Sequence, residues 1–272
     1  MKRYFNDENF KRLCEDYKFL VDKIRNYKGE LDIRLRDNYF NLYYKGNSLA
    51  KVTPRSNDYE IAIHKKFSKE IFIDDDRFSV KDNKNSKYCF IYAKNKTLPQ
   101  LFQKKYLDKL FSNIKKVNNS EETTFEQMLI TDNSDRSDLI IIDRQVTETG
   151  MGGRLDLLAL RQKKDNYFYF EVIEIKLGNN KELARDVGEQ LQRYVCHIES
   201  NIKDWIYSYK EMYRQMKILG LFEKQPWKEI EIEKVVKPIV VVGGYSGIAK
   251  KNIQNLKKFH PQLVINFIKN KL

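Results

Sequence analysis

A chain of 272 residues can hold one large or two modest domains, and its formal net charge of +13 favours a polyanionic partner, with nucleic acid first. Abundant lysine, asparagine and isoleucine would also fit an AT-rich genome, so the charge alone leaves both explanations open. Three cysteines without metal-ligand spacing, together with the lack of a signal-peptide core or of any long apolar run, predict a cytoplasmic protein with free thiols and no membrane span.

Residues 1–118 are predicted to form an amino-terminal α+β domain. Apolar residues recur at steps of three and four between Asp7 and Tyr27, which predicts one amphipathic helix. Short runs of strand-forming residues separated by turn residues then predict an antiparallel meander. Its strands are expected over residues 31–36, 39–44, 48–52 and 59–64.

Basic residues interleave with aromatic ones along this predicted sheet. Arg34, Arg36 and Lys45 stand among tyrosines and phenylalanines, a combination that suits contact with the phosphates and bases of a nucleic acid. An equally simple interpretation is that the aromatic residues are ordinary strand residues and that the charges only face water. The three basic residues are therefore candidate nucleic-acid ligands with a structural alternative.

The next segment leads to the expected domain boundary. Asp74 to Asp76 could suggest a metal site, but without further spaced ligands they predict a solvated acidic turn. A helix is expected from Pro99 to Val117, followed by a loop at 118–120 that separates a second domain, 119–272. Ser120 or Glu121 is expected to cap the next helix, which carries Glu126.

Two apolar segments of the second domain carry charged residues. LDLLAL (155–160) and YFEVIEIKL (169–177) are predicted strands, joined by a polar loop at 162–166. Glu174 and Lys176 leave the same face of their strand, and Asp156 would join them from the neighbouring strand. Two carboxylates on rigid strands can hold a hard cation such as Mg²⁺ or Mn²⁺, and a nearby lysine can orient or deprotonate a water. This pattern outlines a phosphodiesterase site.

Three motifs in this order, GGRLDLLAL, FEVIEIKLG and GEQLQRY, resemble the PD-(D/E)XK nuclease superfamily, in particular its RecB-type and mismatch-endonuclease-like branches. The resemblance covers about residues 123 to 200 and reaches toward 239–243. It implies a restriction-endonuclease-like α-β-β-β-α-β core within an α/β (α+β) fold. Leu155 stands where the superfamily's name has proline, a difference that many members share.

The resemblance implies a role for each matched residue. Asp156 and Glu174, with the carbonyl of Ile175, would bind Mg²⁺ or Mn²⁺. Lys176 would position the attacking water or stabilise the developing charge, and proximity to the metal would favour its neutral form. Glu126, on the helix that precedes the sheet, would complete the metal shell.

Further residues are expected around this centre. Asp143 and Glu148 are alternatives to Glu126 as the additional acid. Gln190 and Tyr194, four residues apart on one helical face, would support the metal site or the DNA backbone. Arg154 could contact a phosphate or only be exposed at the strand end.

The remaining pattern predicts further core elements. Strands are expected at 137–146, 239–242 and 263–268, and helices at 181–199, 202–219 and 248–259. The GGYSG turn at 243–247 lacks the lysine and the spacing of a phosphate-binding loop, so nucleotide binding is not predicted.

The sequence thus predicts a metal-dependent endonuclease that hydrolyses DNA, in phage defence, restriction or DNA repair. A catalytically silent nucleic-acid-binding module of the same fold and an RNA-directed nuclease are the alternatives. Dimerisation would suit cutting of both strands, but no segment of the sequence marks an interface.

Overall fold

The computed structural model describes residues 1–27, 29–69, 71, 78–117 and 120–269. The chain has the predicted α+β composition and forms two compact units. One comprises residues 2–127 and 215–222; the other comprises Met1, 128–214 and the residues from 223 onward. The expected domain boundary at 118–119 and the acidic run Asp74 to Asp76 lie outside the described residues. Within the described ranges, no helix combines the length and the apolar character that crossing a membrane requires.

The first unit contains an antiparallel sheet with helices before and after it and one short helix between its fourth and fifth strands, and the predicted meander is confirmed. The strand order is β1-β2-β3-β4-β6-β5, with every neighbouring pair antiparallel. The strands are β1 (Leu31–Arg36), β2 (Tyr39–Tyr44), β3 (Asn47–Pro54), β4 (Tyr59–His64), β5 (Ser79–Lys81) and β6 (Tyr88–Ala93). The helices are α1 (Asp7–Asp16), α2 (Lys18–Asn26), α3 (Lys65–Ser68), α4 (Leu98–Leu101) and α5 (Lys104–Val117).

The prediction of a single helix over residues 7–27 is wrong in one respect, because the helix is interrupted at Tyr17. The backbone of Tyr17 leaves helical geometry, with φ −115° and ψ 12°. Its side chain is fully buried, and its ring makes edge contacts with Phe40 and Tyr59 at centroid distances of 5.0 and 5.1 Å. This aromatic packing compensates for the interrupted helix. The helix predicted from Pro99 is similarly divided into α4 and α5.

The second unit is built on a mixed five-stranded sheet of order β11-β10-β9-β8-β7. Neighbouring strands from β7 to β9 are antiparallel, whereas β9, β10 and β11 run parallel. The strands are β7 (Leu139–Val146), β8 (Leu155–Lys164), β9 (Tyr167–Leu177), β10 (Glu231–Gly243) and β11 (Val264–Ile268). The helices are α6 (Glu121–Asp132), which begins in the first unit and ends in the second, α7 (Asp186–Ser200), α8 (Ile202–Ile218) and α9 (Ser246–Phe259).

The element order follows the expected α-β-β-β-α-β succession, with α8 inserted before β10. The amino end of α6 is capped as predicted, since the Ser120 hydroxyl oxygen accepts the N–H of Thr123 at 3.3 Å. The polar loop expected at 162–166 is shorter than predicted. Both strands extend to a tight turn in which Asp165 has φ 48°, so the hairpin of β8 and β9 is longer.

Two other boundaries differ from the sequence prediction. Strand β10 has 13 residues instead of the four predicted, because its polar amino-terminal half also pairs with β9. The helix expected to begin at Lys181 starts with a 3₁₀ turn, Lys181–Ala184, and becomes α-helical at Asp186. The three cysteines are free, as expected.

Candidate active site

The hairpin of β8 and β9 brings Asp156 and Glu174 together. Its antiparallel register pairs Leu157 with Ile173. Asp156 precedes Leu157 and Glu174 follows Ile173, so the two acids lie level with each other on neighbouring strands. Their carboxyl groups are close enough to share a hydrogen bond when one of them carries a proton. Glu174 is only 2% exposed, and Asp156 is partly buried. Two acids therefore meet in a largely apolar sheet.

The hydrogen bonds of the two acids are unequal. The N–H of Ile175 donates to Asp156 Oδ2 at 2.9 Å. Since the N–H and C=O of one strand residue face the same neighbour, the Ile175 carbonyl edge also faces Asp156. Glu174 Oε1 accepts from Lys176 Nζ at 3.3 Å and from Gln190 Nε2 at 2.8 Å. Glu174 Oε2, in contrast, is buried and accepts from no donor among the described residues.

This arrangement disfavours two negative charges. Burial, followed by the charge of Asp156, raises the pKa of Glu174 to about 8. Burial also raises the pKa of Asp156, although the Ile175 N–H and Lys176 act in the opposite direction. A hard cation between the carboxylates would offset the repulsion between their charges, and Glu174 Oε2 would be one of its ligands. The donor set of two carboxylates and a carbonyl therefore fits Mg²⁺ or Mn²⁺.

Lys176 is a buried cation beside the acid pair. Its Nζ lies 2.9 Å from Oε2 of Glu182, a half-exposed residue of the 3₁₀ turn after β9. Burial opposes the ammonium charge, but the hydrogen bond to Glu182 and the charges of Glu174 and Asp156 outweigh it, so the pKa of Lys176 is raised above its ordinary value. The neutral form that proximity to a metal would favour stays a prediction. The ammonium form suits stabilisation of negative charge.

Helix α7 supports the acid pair through Gln190 and Tyr194, which share a face as predicted. Gln190 Nε2 lies 2.8 Å from Glu174 Oε1 and 2.9 Å from the Tyr194 hydroxyl. The hydroxyl in turn lies against the backbone of Gly153, where an added Cβ would be only 2.4 Å away. Gly153 is therefore needed for close packing, and Gln190 and Tyr194 position Glu174.

The two alternatives to Glu126 already serve other contacts. Asp143 is fully buried and accepts hydrogen bonds from the Tyr209 hydroxyl at 3.0 Å and from the N–H of Arg144 at 2.7 Å. Glu148 Oε2 lies 2.9 Å from His197 Nε2, one turn beyond Tyr194 on α7. These contacts give both acids a structural role.

Glu126 is buried on α6, in the part of the helix that belongs to the first unit. Across the described ranges, no three His, Cys, Asp or Glu side chains gather as a metal-binding group. Asp156 and Glu174 thus form a pair without a third acidic ligand in that part of the chain. The place of Glu126 in the metal shell stays a prediction.

The predicted nucleic-acid ligands are placed differently from one another. Arg154 is exposed, and its charge acts on Asp156, two residues later. Arg34 and Arg36 are only 3% and 2% exposed, and Arg34 Nε pairs with Asp32 at 2.9 Å. This burial corrects the expectation that both arginines belong to an open basic face, because a phosphate could not reach them.

Lys45 and its aromatic neighbours also favour a structural role. Lys45 Nζ lies 2.8 Å from Glu30 Oε1 and 5.9 Å from the centre of the Tyr44 ring. Phe40, Tyr43 and Tyr44 are buried in the sheet. These three aromatic residues therefore belong to the core of the first unit, and Arg154 is the candidate best placed for phosphate contact.

Residues that the motifs did not indicate complete the site. Glu182 follows Lys176 by six positions in a polar loop, where an acidic residue carries no signal of its own. The Asn180 side chain, which accepts the N–H of Glu182 at 2.9 Å, holds that loop. Comparison of the chain with protein-family models, with curated proteins and with solved structures finds no match. The geometry of the acid pair and the motifs around it therefore carry the functional argument.

Proposed function

We propose that this protein is a divalent-metal-dependent deoxyribonuclease of the PD-(D/E)XK type, which hydrolyses phosphodiester bonds. The observation that carries the proposal is the buried Oε2 of Glu174, which accepts no hydrogen bond from any donor in the described part of the chain and belongs to an acid pair beside the cation Lys176. A purely structural acid pair would cost stability, because burial penalises both charges. A cation bound by Asp156 and Glu174 and a phosphate beside Lys176 would neutralise these three buried charges.

The proposed ligands are the carboxylates of Asp156 and Glu174 and the carbonyl of Ile175. When bound, Mg²⁺ or Mn²⁺ polarises the scissile phosphate and lowers the pKa of a bound water. The Lys176 ammonium is placed to stabilise negative charge that develops on the phosphate. Gln190 fixes the orientation of the Glu174 carboxylate, because its amide donates to Oε1.

Two features support a nucleic acid as substrate. The net charge of +13 favours a polyanion, and the exposed Arg154 stands at the entrance to β8, next to the acid pair. A silent binding module would gain nothing from two carboxylates near the phosphate backbone, since without a cation they repel it. DNA is the proposed substrate, with RNA as the alternative that shares this chemistry. Phage defence, restriction and DNA repair are roles that such an enzyme would suit, and a homodimer would allow cutting of both strands.

Cleavage assays test the proposal. Purified protein is incubated with circular, linear and single-stranded DNA and with RNA, in Mg²⁺, in Mn²⁺ and in EDTA. We expect metal-dependent cutting by the wild type, and its loss in Asp156→Asn and Lys176→Met. Folded protein that binds DNA but cuts none of these substrates in either metal would support the silent module instead. Cutting of RNA alone would reassign the substrate and leave the chemistry in place.

A further inference from the structure

A second surface of the same unit has the composition of a nucleic-acid groove. An open groove of about 770 Å³ lies between α8 and the first half of β10. Helix α8 forms one wall with Lys203, Tyr207 and Lys210, which follow one another at steps of four and three and so share a helical face. The other wall is Ile232 and Lys234, and Ile206 adds apolar surface from α8.

The acidic side chains that line the groove are in ion pairs, whereas two of its lysines are in none with the described residues. Its acids are paired, Glu211 with Arg214 at 2.9 Å and Glu233 with Lys163 at 3.0 Å. Lys210 is also paired, with Glu231 at 2.8 Å. Lys203 and Lys234 take part in none of the ion pairs of the described residues, and both are exposed. The groove therefore presents two available positive charges and no available negative one.

An exposed aromatic ring lines the groove together with these lysines. Tyr207 is 60% exposed, although a large aromatic side chain gains from burial. Every base offers a flat π-face, so an exposed ring flanked by lysines suits stacking of a base while the lysines meet the neighbouring phosphates. An acidic peptide would use the lysines, but its carboxylates would make no use of the flat face of Tyr207.

The groove is separate from the acid pair. Ile232 pairs with Phe168 in the β9–β10 register, and Glu174 lies six residues farther along β9. At about 3.3 Å per residue, this separation is roughly 20 Å along the sheet. A strand held in the groove would thus be anchored away from the point of cleavage.

We propose that the groove between α8 and β10 binds a single-stranded stretch of nucleic acid, with Tyr207 as the stacking platform and Lys203 and Lys234 as phosphate contacts. The site deepens the proposed nuclease function and rests on it, because the bound strand is the substrate. It gives the enzyme affinity for unpaired strands, such as ends or flaps, that does not depend on the metal.

Fluorescence anisotropy with a labelled oligothymidylate in EDTA tests this binding, with oligouridylate as the arm that distinguishes RNA. We expect Tyr207→Ala to weaken binding roughly fivefold or more, and Tyr207→Phe to stay close to the wild type, because phenylalanine still stacks. The pair Lys203→Ala/Lys234→Ala should reduce the slope of log affinity against log salt by about 1.4, which corresponds to two phosphates of a single strand.

A matched charge control is Lys115→Ala/Lys116→Ala, which removes two exposed lysines from α5. This control should leave the salt slope unchanged. Equal binding by the wild type and Tyr207→Ala, a wild type without affinity for either oligonucleotide, or groove variants that alter only self-association in sedimentation would each overturn the proposal.

The two proposals fail separately. Hydrolysis of bis(p-nitrophenyl) phosphate needs only the acid pair and Lys176, so Tyr207→Ala should leave this reaction unchanged. If the groove variants bind normally while Asp156→Asn abolishes hydrolysis, the groove proposal falls and the nuclease stands. If the groove variants lose binding but no metal-dependent cutting is found, the nuclease proposal falls and the groove remains a binding site.

Discussion

Lys176 Nζ lies 2.9 Å from Glu182 Oε2, so an ammonium that is almost buried is held by a carboxylate that is half exposed. The Lys176 side chain is 9% exposed and that of Glu182 is 55% exposed. An arriving phosphate would therefore meet the Glu182 carboxylate before it reaches the ammonium. In the free protein, Glu182 occupies a position on Lys176 that a phosphate oxygen could take.

Glu182→Gln should strengthen substrate binding. The substitution removes a negative charge next to the incoming phosphate and releases the Lys176 ammonium, so we expect KM for DNA to fall about threefold to tenfold while kcat changes little. Steady-state kinetics at low ionic strength measure both constants. Glu189→Gln, which neutralises an exposed acid on the first turn of α7, is the matched control and should have a smaller effect. A large loss of kcat with unchanged KM would mean that Glu182 positions the lysine instead.

Gly153→Ala should disturb the support that Tyr194 and Gln190 give to Glu174. The new Cβ would lie 2.4 Å from the Tyr194 hydroxyl, so the tyrosine must move and its contact with Gln190 is lost. We expect a loss of stability of about 1–3 kcal/mol and a loss of activity of about tenfold or more. Chemical denaturation and cleavage rates measure the two effects.

The controls for Gly153→Ala use a second glycine and a second site. Gly247→Ala, on the first turn of α9, places its Cβ with no atom of the described residues within 4 Å and should be tolerated. Tyr194→Phe removes the clashing oxygen, so the double variant Gly153→Ala/Tyr194→Phe should lose less stability than the two single losses added together. Strict additivity would show that the close approach of Gly153 and Tyr194 has no energetic weight.

The centre of this site could be predicted because it depends on local patterns. Alternation along a strand places Glu174 and Lys176 on one face, and a short polar turn makes β8 the neighbour of β9. The four-residue step from Gln190 to Tyr194 predicts a shared helical face, and the structure shows the two side chains in contact.

Other features depend on tertiary packing and carry no local signal. The alternation of polar and apolar residues along β1 predicts that Arg34 and Arg36 face solvent. Almost every residue of β1 is buried, however, and the two arginines are buried with them. The interruption at Tyr17 follows from aromatic packing with residues far away in the chain. Glu182 reaches Lys176 only because a 3₁₀ turn follows β9, and amphipathic periodicity had predicted an uninterrupted helix there.

Stability without metal should fall as the pH rises. Folded Glu174 keeps its proton up to about pH 8, whereas in the unfolded chain this carboxyl loses it near its ordinary pKa of 4.5. Between these values the folded state binds more protons, so the free energy of unfolding decreases with increasing pH. The raised pKa of Asp156 acts in the same direction. The total effect at the upper end of this window is on the order of a few kcal/mol.

Glu174→Gln should reduce this pH dependence, because the amide has no proton to lose. In EDTA, the variant should melt at a higher temperature than the wild type at about pH 8 to 9, and the difference should shrink toward about pH 5. Thermal unfolding followed by circular dichroism measures the difference, with Glu189→Gln as the control for loss of an exposed acid. Parallel pH profiles for the wild type and Glu174→Gln would contradict the assignment of the raised pKa to Glu174.

Isothermal titration calorimetry of Mn²⁺ into the metal-free protein tests most directly whether Asp156 and Glu174 form a metal site. The wild type should bind Mn²⁺ with release of protons, since the acid pair must ionise to accept the cation. Asp156→Asn and Glu174→Gln should each lose this binding, whereas Lys176→Met should keep it. Mn²⁺ binding of equal strength in the wild type and in both acid variants, or no binding by the folded wild type, would contradict the account.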